Sequence, residues 1–542
     1  MTEAEQTIDE LVKKYRQELE EIFAKDTFKL TFDEREKLID HKIDKGRCRI
    51  LEKHIEEDPD GISKNNKQEE VNSCICGSCA TLCRDENGDI KIFEREIKTK
   101  RGAIKVKEHG YYCSKCRKIF FPQRKKLNLF KENYSPDMLR KITYAGAHST
   151  SSYHEAQNNL KNLAEFFIST SHIQRLTTKI AKEFDQKYYP SSNLLEDLPE
   201  LEAQDKIEVA SISVDGGRTQ IREENSGAGV HNPRWIEPKV GCLQILESKE
   251  QDSDPHSVLP KIFQDKKAVK HMVERLKGKM KSQDNIEDDK KTDSHLNTDR
   301  HSKEDDSSRP NVLKRFVIAD ITNAESFGHG LYRKMYQHNL HSASRKAYLG
   351  DGDRKLWSIY EENFRADDWT PILDFIHAVE YTYEAAKLST QTEEQCWAKY
   401  INYVTHIWQG RPLTVIRRLD KIIGELENSN SNKSKHLNDK IDKLKSIRTY
   451  FQNNFNKMNY PEYRKKGLPI SSCHVESLIK QFNIRIKSSE KFWNQSSVKG
   501  IVKIKASLLS DDNSWAEFWN DRFDHQVRTK MIYNQDELKL AA

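Results

Sequence analysis

The sequence IEVASISVDGG, residues 207–217, is the clearest indication of the fold. Its closely spaced aliphatic residues are typical of a buried strand. The strand ends at Asp215, where Gly216 and Gly217 leave room beside the carboxylate. This segment therefore predicts a strand of an α/β core with an acidic side chain at the edge of its sheet.

The segments on the C-terminal side continue an α/β pattern. Strands are predicted in PKVGCLQIL (238–246), RFVIADI (315–321) and KAYLGD (346–351), a helix from Ala324 to His338, and a strand followed by a helix in PILDFIHAVEYTYEAA (371–386). Residues 380–460 are helical in pattern, with a polar interruption at 428–434, and SSCHVESLIKQFNIRIK (471–487) also has helical spacing. Between two of the strands, 15 of the 30 residues from Lys281 to Pro310 are charged, which predicts a disordered insert.

Three acidic residues are candidates for a shared metal site. Asp351 ends the strand KAYLGD as Asp215 ends the first strand, and Glu476 lies on the predicted helix 471–487. Carboxylates at the ends of adjacent strands converge on a cleft, where their hard oxygens bind Mg²⁺ together with a phosphate. An isolated Asp-Gly pair is more often a turn, so the prediction depends on the three acids together. Asp353 is an alternative to Asp351 as the second acid.

Six of the ten cysteines lie between Cys74 and Cys116, which points to metal binding in a reducing compartment. The pairs Cys76-Gly-Ser-Cys79 and Cys113-Ser-Lys-Cys116 are separated by 33 residues and flank a segment with strand-like alternation. Two such turns can share one tetrahedral Zn²⁺, so we expect a zinc ribbon whose ligands are Cys76, Cys79, Cys113 and Cys116. Either Cys74 or Cys83 could replace one of these ligands.

The charge of the chain is unevenly distributed. The 542 residues are 36% hydrophobic and 32% charged and carry a net charge of +6, but residues 91–126 alone hold 13 Lys or Arg and 3 Glu, a local net of +10. A second window, 461–505, holds 10 Lys or Arg and 3 Glu, a local net of +7. Basic windows with interleaved aromatic residues favour contact with nucleic-acid phosphates over an ordinary solvated face. A signal peptide and a long apolar span are both missing from the sequence, so we expect a cytoplasmic, nucleoid-associated protein.

The N-terminal third is predicted to be largely helical outside the zinc ribbon. Two helices are expected in residues 1–60, as an arm for packing or self-association. Three more follow in residues 135–190, introduced by Ser135-Pro136, Ser151-Ser152 and Ser169-Thr170-Ser171 as N-caps. Three short helices fit a helix-turn-helix, and a plain three-helix packing unit fits the same pattern.

Taken in order, these motifs resemble those of the bacterial insertion-sequence DDE transposases of the ISKra group. The motifs are Ser213-Val-Asp215-Gly-Gly-Arg218, Trp235-Ile-Glu-Pro-Lys-Val-Gly241, Leu349-Gly-Asp351-Gly, Pro371-Ile-Leu-Asp374-Phe-Ile-His377-Ala and Gly467-Leu-Pro-Ile-Ser-Ser-Cys-His-Val-Glu476-Ser. With the zinc knuckles upstream, the resemblance covers roughly residues 70–500. One departure is Ser471-Ser472-Cys473, which stands where the family has a glycine-rich turn before its Glu.

The resemblance implies a multidomain α/β protein with a ribonuclease-H-like catalytic core, a mixed sheet with helices. The residue patterns and the resemblance together predict a helical arm (1–65), a zinc ribbon (70–125), a helix-turn-helix region (130–195), the first part of the core (205–380), a helical insertion (381–462), the last part of the core (463–510) and a C-terminal tail (511–542). Asp215, Asp351 and Glu476 are the implied catalytic triad, with Asp374 and His377 as further catalytic candidates from the family's Asp-x-x-His signature. Without the family, an N-cap Asp and a core His would be the simpler interpretation of that pair.

The implied activity is binding of terminal inverted repeats, cleavage of DNA and strand transfer, with Mg²⁺ or Mn²⁺ held by the triad. In that mechanism Asp215 bridges two ions while Asp351 and Glu476 each hold one. The candidate DNA-binding residues are Arg218, Lys239, Arg485, Lys487, Arg124, Lys125, Lys126 and Arg175. Pairing of two DNA ends leads us to expect a homodimer or larger assembly. Two other classes stay open: a transposase-derived DNA-binding protein without catalysis, and a structure-selective nuclease on the same fold.

Overall fold

The computed structural model describes residues 3–58, 71–74, 76–127, 129, 132–148, 152–188, 207–223, 234–276, 309–429, 435–487 and 491–523. The chain divides into two compact units. Unit 1 comprises Met1–Glu183 with Trp515–Ala542, and unit 2 comprises Phe184–Ser514. Within the described ranges, every helix is too short or too polar to cross a lipid bilayer.

The helices of the N-terminal half are α1 (Glu3–Ile22), α2 (Phe32–Glu56), α3 (Pro122–Lys126), α4 (Pro136–Ala147), α5 (Tyr153–Ala164), α6 (Thr170–Tyr188) and α7 (Lys266–Leu276). Those of the C-terminal half are α8 (Ala324–Gln337), α9 (Arg354–Asn363), α10 (Phe375–Leu388), α11 (Glu393–Trp408), α12 (Pro412–Ser429), α13 (Lys435–Asn454), α14 (Tyr460–Lys465), α15 (Cys473–Ile486), α16 (Gln495–Leu508) and α17 (Ser514–Phe523).

The strands of unit 1 are β1 (Val71–Ser73), β2 (Cys79–Leu82), β3 (Ile92–Thr99), β4 (Gly102–His109), β5 (Tyr111–Cys113) and β6 (Lys118–Phe120). Those of unit 2 are β7 (Val209–Gly216), β8 (Thr219–Ile221), β9 (Arg234–Ile236), β10 (Lys239–Glu247), β11 (Asn311–Asp320), β12 (Arg345–Gly350) and β13 (Thr370–Leu373). The short β8–β9 hairpin escaped prediction from the sequence.

Unit 1 confirms the predicted order of a two-helix arm, a β-rich segment and three short helices. Helices α1 and α2 form the arm, and a capping box between Thr31 and Glu34 begins α2. Strands β1, β2, β5 and β6 form a small sheet, while β3 and β4 form a separate hairpin. The hydroxyls of Ser135 and Ser152 accept the N-cap hydrogen bonds that begin α4 and α5, as their sequence positions predict.

Unit 2 is built around a mixed five-stranded sheet in the order β11-β10-β7-β12-β13. Strand β10 is antiparallel to both β11 and β7, whereas β7, β12 and β13 are mutually parallel. Residues of β7 and β10 are almost all buried, in agreement with their predicted character as core strands. Gly241 of β10 permits close helix packing, because a Cβ there would lie 2.7 Å from Leu331 Cδ1 on α8.

Helices surround this sheet. Helix α15 packs on β7 and β10, and α16 packs on β11. Helices α11 to α14 occupy the predicted insertion, where α10 contacts both α11 and α13. The buried aliphatic and aromatic residues of strands, α10 and insertion belong to one continuous core, so the insertion is packed as part of unit 2.

The structure bears on two of the expected segments, the C-terminal tail and the disordered insert. The expected tail 511–542 contains helix α17, whose Phe518 and Trp519 are buried, so its first part is folded because these aromatic side chains find a core. Most of the expected disordered insert, residues 281–308, lies outside the described residues.

Candidate active site

The register of the sheet brings three acids together at one edge. Strand β12 pairs with β7 through Arg345↔Val209 and Leu349↔Ser213, and continuing this register by two residues sets Asp351 beside Asp215. Strand β13 pairs with β12 through Gly350↔Leu373, so Asp374 follows beside Asp351. Parallel neighbours are about 4.8 Å apart. Asp215, Asp351 and Asp374 therefore form a row across the carboxyl ends of three strands.

Helix α15 adds Glu476 to this row from its first turn. Ligand atoms of Asp374, His377 and Glu476 all lie within 4.8 Å of one another. Glu476 Oε1 is 3.8 Å from His377 Nε2, and its Oε2 is 4.0 Å from Arg275 Nη2. The carboxyl ends of β7, β12 and β13 and the N-termini of α10 and α15 thus lie close together.

Asp374 is fully buried, and both of its carboxylate oxygens accept hydrogen bonds. Its Oδ1 accepts the N-cap bond from the Ile376 N–H at 2.7 Å, which begins α10. Its Oδ2 accepts from the Ser472 N–H at 2.9 Å and also from the Ser472 hydroxyl. Asp374 therefore ties strand β13 to the residue immediately before α15. The N-cap role that the sequence suggested for Asp374 is correct, and its contact with Ser472 could not be anticipated.

The acids of the cluster are largely buried and lie close to one another, which disfavours their charged forms. Burial, and then the negative charge of Asp351, raise the pKa of Asp215 to about 7. Burial also raises the pKa values of Asp351 and Glu476. Burial opposes the charged form of His377, yet the surrounding carboxylates, Asp374 foremost, raise its pKa overall. The cluster accordingly favours the binding of positive charge.

A divalent cation fits this arrangement chemically. Among the described residues, Asp374, His377 and Glu476 are the acidic group whose ligand atoms lie close enough to share one ion, and Asp215 and Asp351 lie beside this group at the strand ends. The carboxylates supply the hard oxygen ligands that Mg²⁺ and Mn²⁺ prefer. Glu476 Oε1 is buried, and among the described residues it accepts no hydrogen bond. Buried carboxylate oxygens are costly unless a donor or a cation compensates them, so a cation would supply the missing partner.

The structure distinguishes Asp351 from its competitor Asp353. Asp353 is exposed, and its Oδ1 accepts from the Lys355 N–H at 2.7 Å as the N-cap of α9. Its own N–H donates to Asp351 Oδ1 at 2.8 Å. Asp353 thus caps a helix and orients Asp351, and Asp351 is the residue aligned with Asp215.

The cysteine cluster of unit 1 contains three of the four expected residues, and Cys74, the alternative that the sequence left open, takes the place of Cys79. Ligand sulfurs of Cys74, Cys76, Cys113 and Cys116 lie within 4.8 Å of one another. Cys79, expected in the set, is exposed at the start of β2. Strand alternation explains the difference, because Ala80 is the inward residue there and Cys79 points to the opposite face. The turn before β2, closed by Cys74 N–H donating to the Ser78 carbonyl at 2.9 Å, brings Cys74 in instead.

The geometry of this cluster fits Zn²⁺. The sulfurs of Cys76 and Cys113 are 3.6 Å apart, and those of Cys74 and Cys116 are 3.9 Å apart. Four thiolates at the usual Zn–S distance of about 2.3 Å form a tetrahedron with edges of about 3.8 Å. Hydrogen bonds from Ser78 lower the pKa of Cys76 to about 6, whereas the hydrogen bond with Cys76 raises the pKa of Cys116 to about 12 and burial raises that of Cys74. Without a metal the cluster therefore retains protons, which a metal would displace on binding.

The expected DNA-binding residues fall into three groups. Arg175, Arg218 and Lys487 are exposed. Two residues are buried and cannot serve as surface phosphate contacts: Lys239 donates to the Thr322 carbonyl at 2.8 Å, and Arg485 stacks on Trp493. Their place in the core is set by packing that the charge count of the sequence does not reveal.

The remaining candidates belong to α3. Arg124 is partly buried, pairs with Glu108 and lies over the ring of Phe121. The side chains of Lys125 and Lys126 fall outside the described residues.

Sequence reasoning also missed residues around the acids. Ser472, Arg275 and Tyr450 all contact the acids, and no local pattern marks them because each comes from a distant segment. Comparison of the chain with protein-family models and with curated protein sequences finds no match.

Proposed function

We propose that this chain is a DNA transposase of the DDE type, which cleaves DNA at the ends of a mobile element and joins them to a target. The observation that carries this proposal is the register that aligns Asp215 with Asp351, together with Glu476 from α15. Carboxylates held in this way at the end of a sheet are suited to metal-dependent phosphoryl transfer.

The sheet supports a ribonuclease-H-like core for this activity. Its first three strands in sequence order, β7, β10 and β11, are joined antiparallel, and the last two, β12 and β13, are parallel to β7. This is a mixed sheet of the kind that the resemblance to the ISKra group implies. The acids lie at the carboxyl ends of its parallel strands, where ligands bind in open α/β sheets.

Within this proposal, Asp215, Asp351 and Glu476 would hold the divalent cations. Such ions supply an activated water or 3′-OH and stabilise the leaving oxygen. His377 Nε2 lies 3.8 Å from Glu476 Oε1, and the surrounding carboxylates raise the pKa of His377, so its protonated form would partly offset the negative charge. Asp374 acts as a positioning residue, because both of its oxygens are already engaged by Ile376 and Ser472.

Unit 1 is the proposed DNA-recognition part. It contains the cysteine cluster, which would be a structural zinc site, and the three helices α4 to α6 with Arg175 exposed on α6. A ribbon stabilised by zinc and a helical unit with exposed cations are suited to contacts with DNA phosphates and base edges. A homodimer or larger assembly would pair two DNA ends.

A strand-transfer assay tests the proposal. The substrate is linear DNA carrying the sequences that flank the coding region, incubated with target plasmid and Mg²⁺. Wild-type protein should cleave and join this DNA, whereas Asp215→Asn, Asp351→Asn and Glu476→Gln should lose at least 100-fold, since each removes a charged metal ligand.

Asp353→Asn is the matched control. It is two residues from Asp351, and Asn is as good an N-cap as Asp, so this variant should keep most of the activity. Full activity of Asp351→Asn would refute the assignment of the acids. Binding of the ends without cleavage would indicate a DNA-binding protein, and cleavage of branched DNA without joining would indicate a nuclease.

A further inference from the structure

Tyr450 connects the helical insertion to the proposed metal site. It lies on α13, and its hydroxyl donates a hydrogen bond of 2.8 Å to the backbone carbonyl of Asp351. The two residues are separated by 99 positions in the sequence, so this contact depends on the tertiary position of α13.

The ring of Tyr450 is held firmly in that position. It stacks on Tyr381 of α10 with ring centroids 3.7 Å apart and an interplanar angle of 13°. Phe451 adds an edge contact at 5.6 Å. A tyrosine whose ring is fixed between helices has little freedom to move its hydroxyl, so the carbonyl that it binds is fixed as well.

The turn that carries Asp351 is shaped to the Tyr450 ring. Gly352 has φ +100°, a conformation that favours glycine, and a Cβ there would overlap the ring, 3.0 Å from its Cζ atom. On the far side of the turn, Asp353 N–H donates to Asp351 Oδ1 at 2.8 Å. The backbone and the carboxylate of Asp351 are therefore each anchored by one hydrogen bond.

We propose that Tyr450 is a positioning residue for Asp351, through which the helical insertion holds this acid in its metal-binding geometry. The inference rests on the proposed function, in which Asp351 is a metal ligand. It assigns to the insertion a role at the site itself, so that a displacement of α13 would weaken metal binding without any change in the acids.

The test uses the full-length, zinc-loaded chain and Mn²⁺ as the probe, measured by isothermal titration calorimetry. Tyr450→Phe keeps the ring and its stacking but removes the hydroxyl. We expect it to weaken Mn²⁺ binding about tenfold, because the Asp351 turn is then held on one side only. In the strand-transfer assay kcat should fall while the affinity for DNA stays unchanged. A general loss of folding would instead reduce both kcat and the affinity for DNA.

Tyr400→Phe is the matched control. Tyr400 also belongs to the insertion, is fully buried and donates through its hydroxyl to a backbone carbonyl, that of Phe263 at 3.1 Å, which is not a carbonyl of one of the acids. It should bind Mn²⁺ like the wild type. Gly352→Ala should displace the Tyr450 ring from the Asp351 turn, and it should therefore weaken Mn²⁺ binding as Tyr450→Phe does.

The outcomes are distinguishable. Equal Mn²⁺ affinity of Tyr450→Phe and Tyr400→Phe, with a wild type that binds more tightly than Asp351→Asn, would overturn the role of Tyr450 alone. A wild type that binds Mn²⁺ no more tightly than Asp351→Asn would overturn the proposed metal site and this inference together.

Discussion

Lys503→Met should destabilise unit 2 without a direct effect on DNA binding. Lys503 belongs to the basic window 461–505 that the sequence assigns to a DNA-facing surface, yet its side chain is 1% exposed. Its Nζ is 2.9 Å from Asp320 Oδ2 at the end of β11 and also pairs with Asp185 of α6. Methionine has a similar length and no charge, so the substitution removes the cation that Asp185 and Asp320 share and leaves Asp320 with Lys499 Nζ at 3.9 Å.

The expected magnitude follows from the burial of the three groups. Removing one partner of a buried ion pair costs about 3–5 kcal/mol. The Asp185 side chain is 32% exposed and keeps some hydration, so we expect the lower end, about 3 kcal/mol. With an unfolding entropy of about 2.1 cal/mol/K per residue over roughly 300 residues, this loss lowers Tm by about 5 °C.

Differential scanning calorimetry measures the shift, and fluorescence anisotropy with labelled DNA measures binding below the transition. Lys487→Met is the control from the same window, because Lys487 is exposed. It should leave Tm within about 1 °C and, if this face contacts DNA, reduce the salt dependence of binding by about one phosphate contact. An unchanged Tm for Lys503→Met combined with weakened DNA binding would refute the reasoning.

Three further predictions concern the acids, the cysteines and α6. Burial raises the pKa of Asp215 to about 7, far above its value in an unfolded chain, so the stability it contributes is lost as pH rises toward and through 7. The Tm of the metal-free protein should therefore fall by several degrees from pH 5 to 8. Asp215→Asn should reduce that fall in the same calorimetric scans. If the cluster is the proposed zinc site, metal analysis should find one equivalent of zinc per chain in the wild type and in Cys79→Ser and none in Cys74→Ser; the opposite result would restore Cys79 as the ligand. Arg175→Ala should weaken DNA binding and lower its salt slope by about 1, whereas an unchanged slope would remove α6 from the interface.

Much of the architecture was predictable from local sequence. The strand at 209–216, the helix that begins after Asn323 and the Ser-capped helices α4 and α5 are confirmed, because side-chain periodicity and capping depend on residues a few positions apart. The candidate acids were found for the same reason, since each follows the end of a recognisable strand or begins a helix.

The details of both sites were less predictable. Either Cys74 or Cys79 could complete the cysteine set on spacing alone, and only the path of the chain into β2 distinguishes them. The hydrogen bond from Ser472 to Asp374 and that from Tyr450 to Asp351 each join residues about 100 positions apart. No local pattern marks such partners.

The sequence by itself determined the order of strands and helices, the acids at the ends of strands and the concentration of cysteines, because these features depend on short-range chemistry. Only the tertiary structure decided that the register of β7, β12 and β13 aligns Asp215, Asp351 and Asp374, and that Lys239, Arg485 and Lys503 are core residues. The physical reason is that burial and register are set by packing between segments far apart in the chain. A positive charge counted in the sequence can therefore face DNA or compensate a buried carboxylate, and the packed structure determines which.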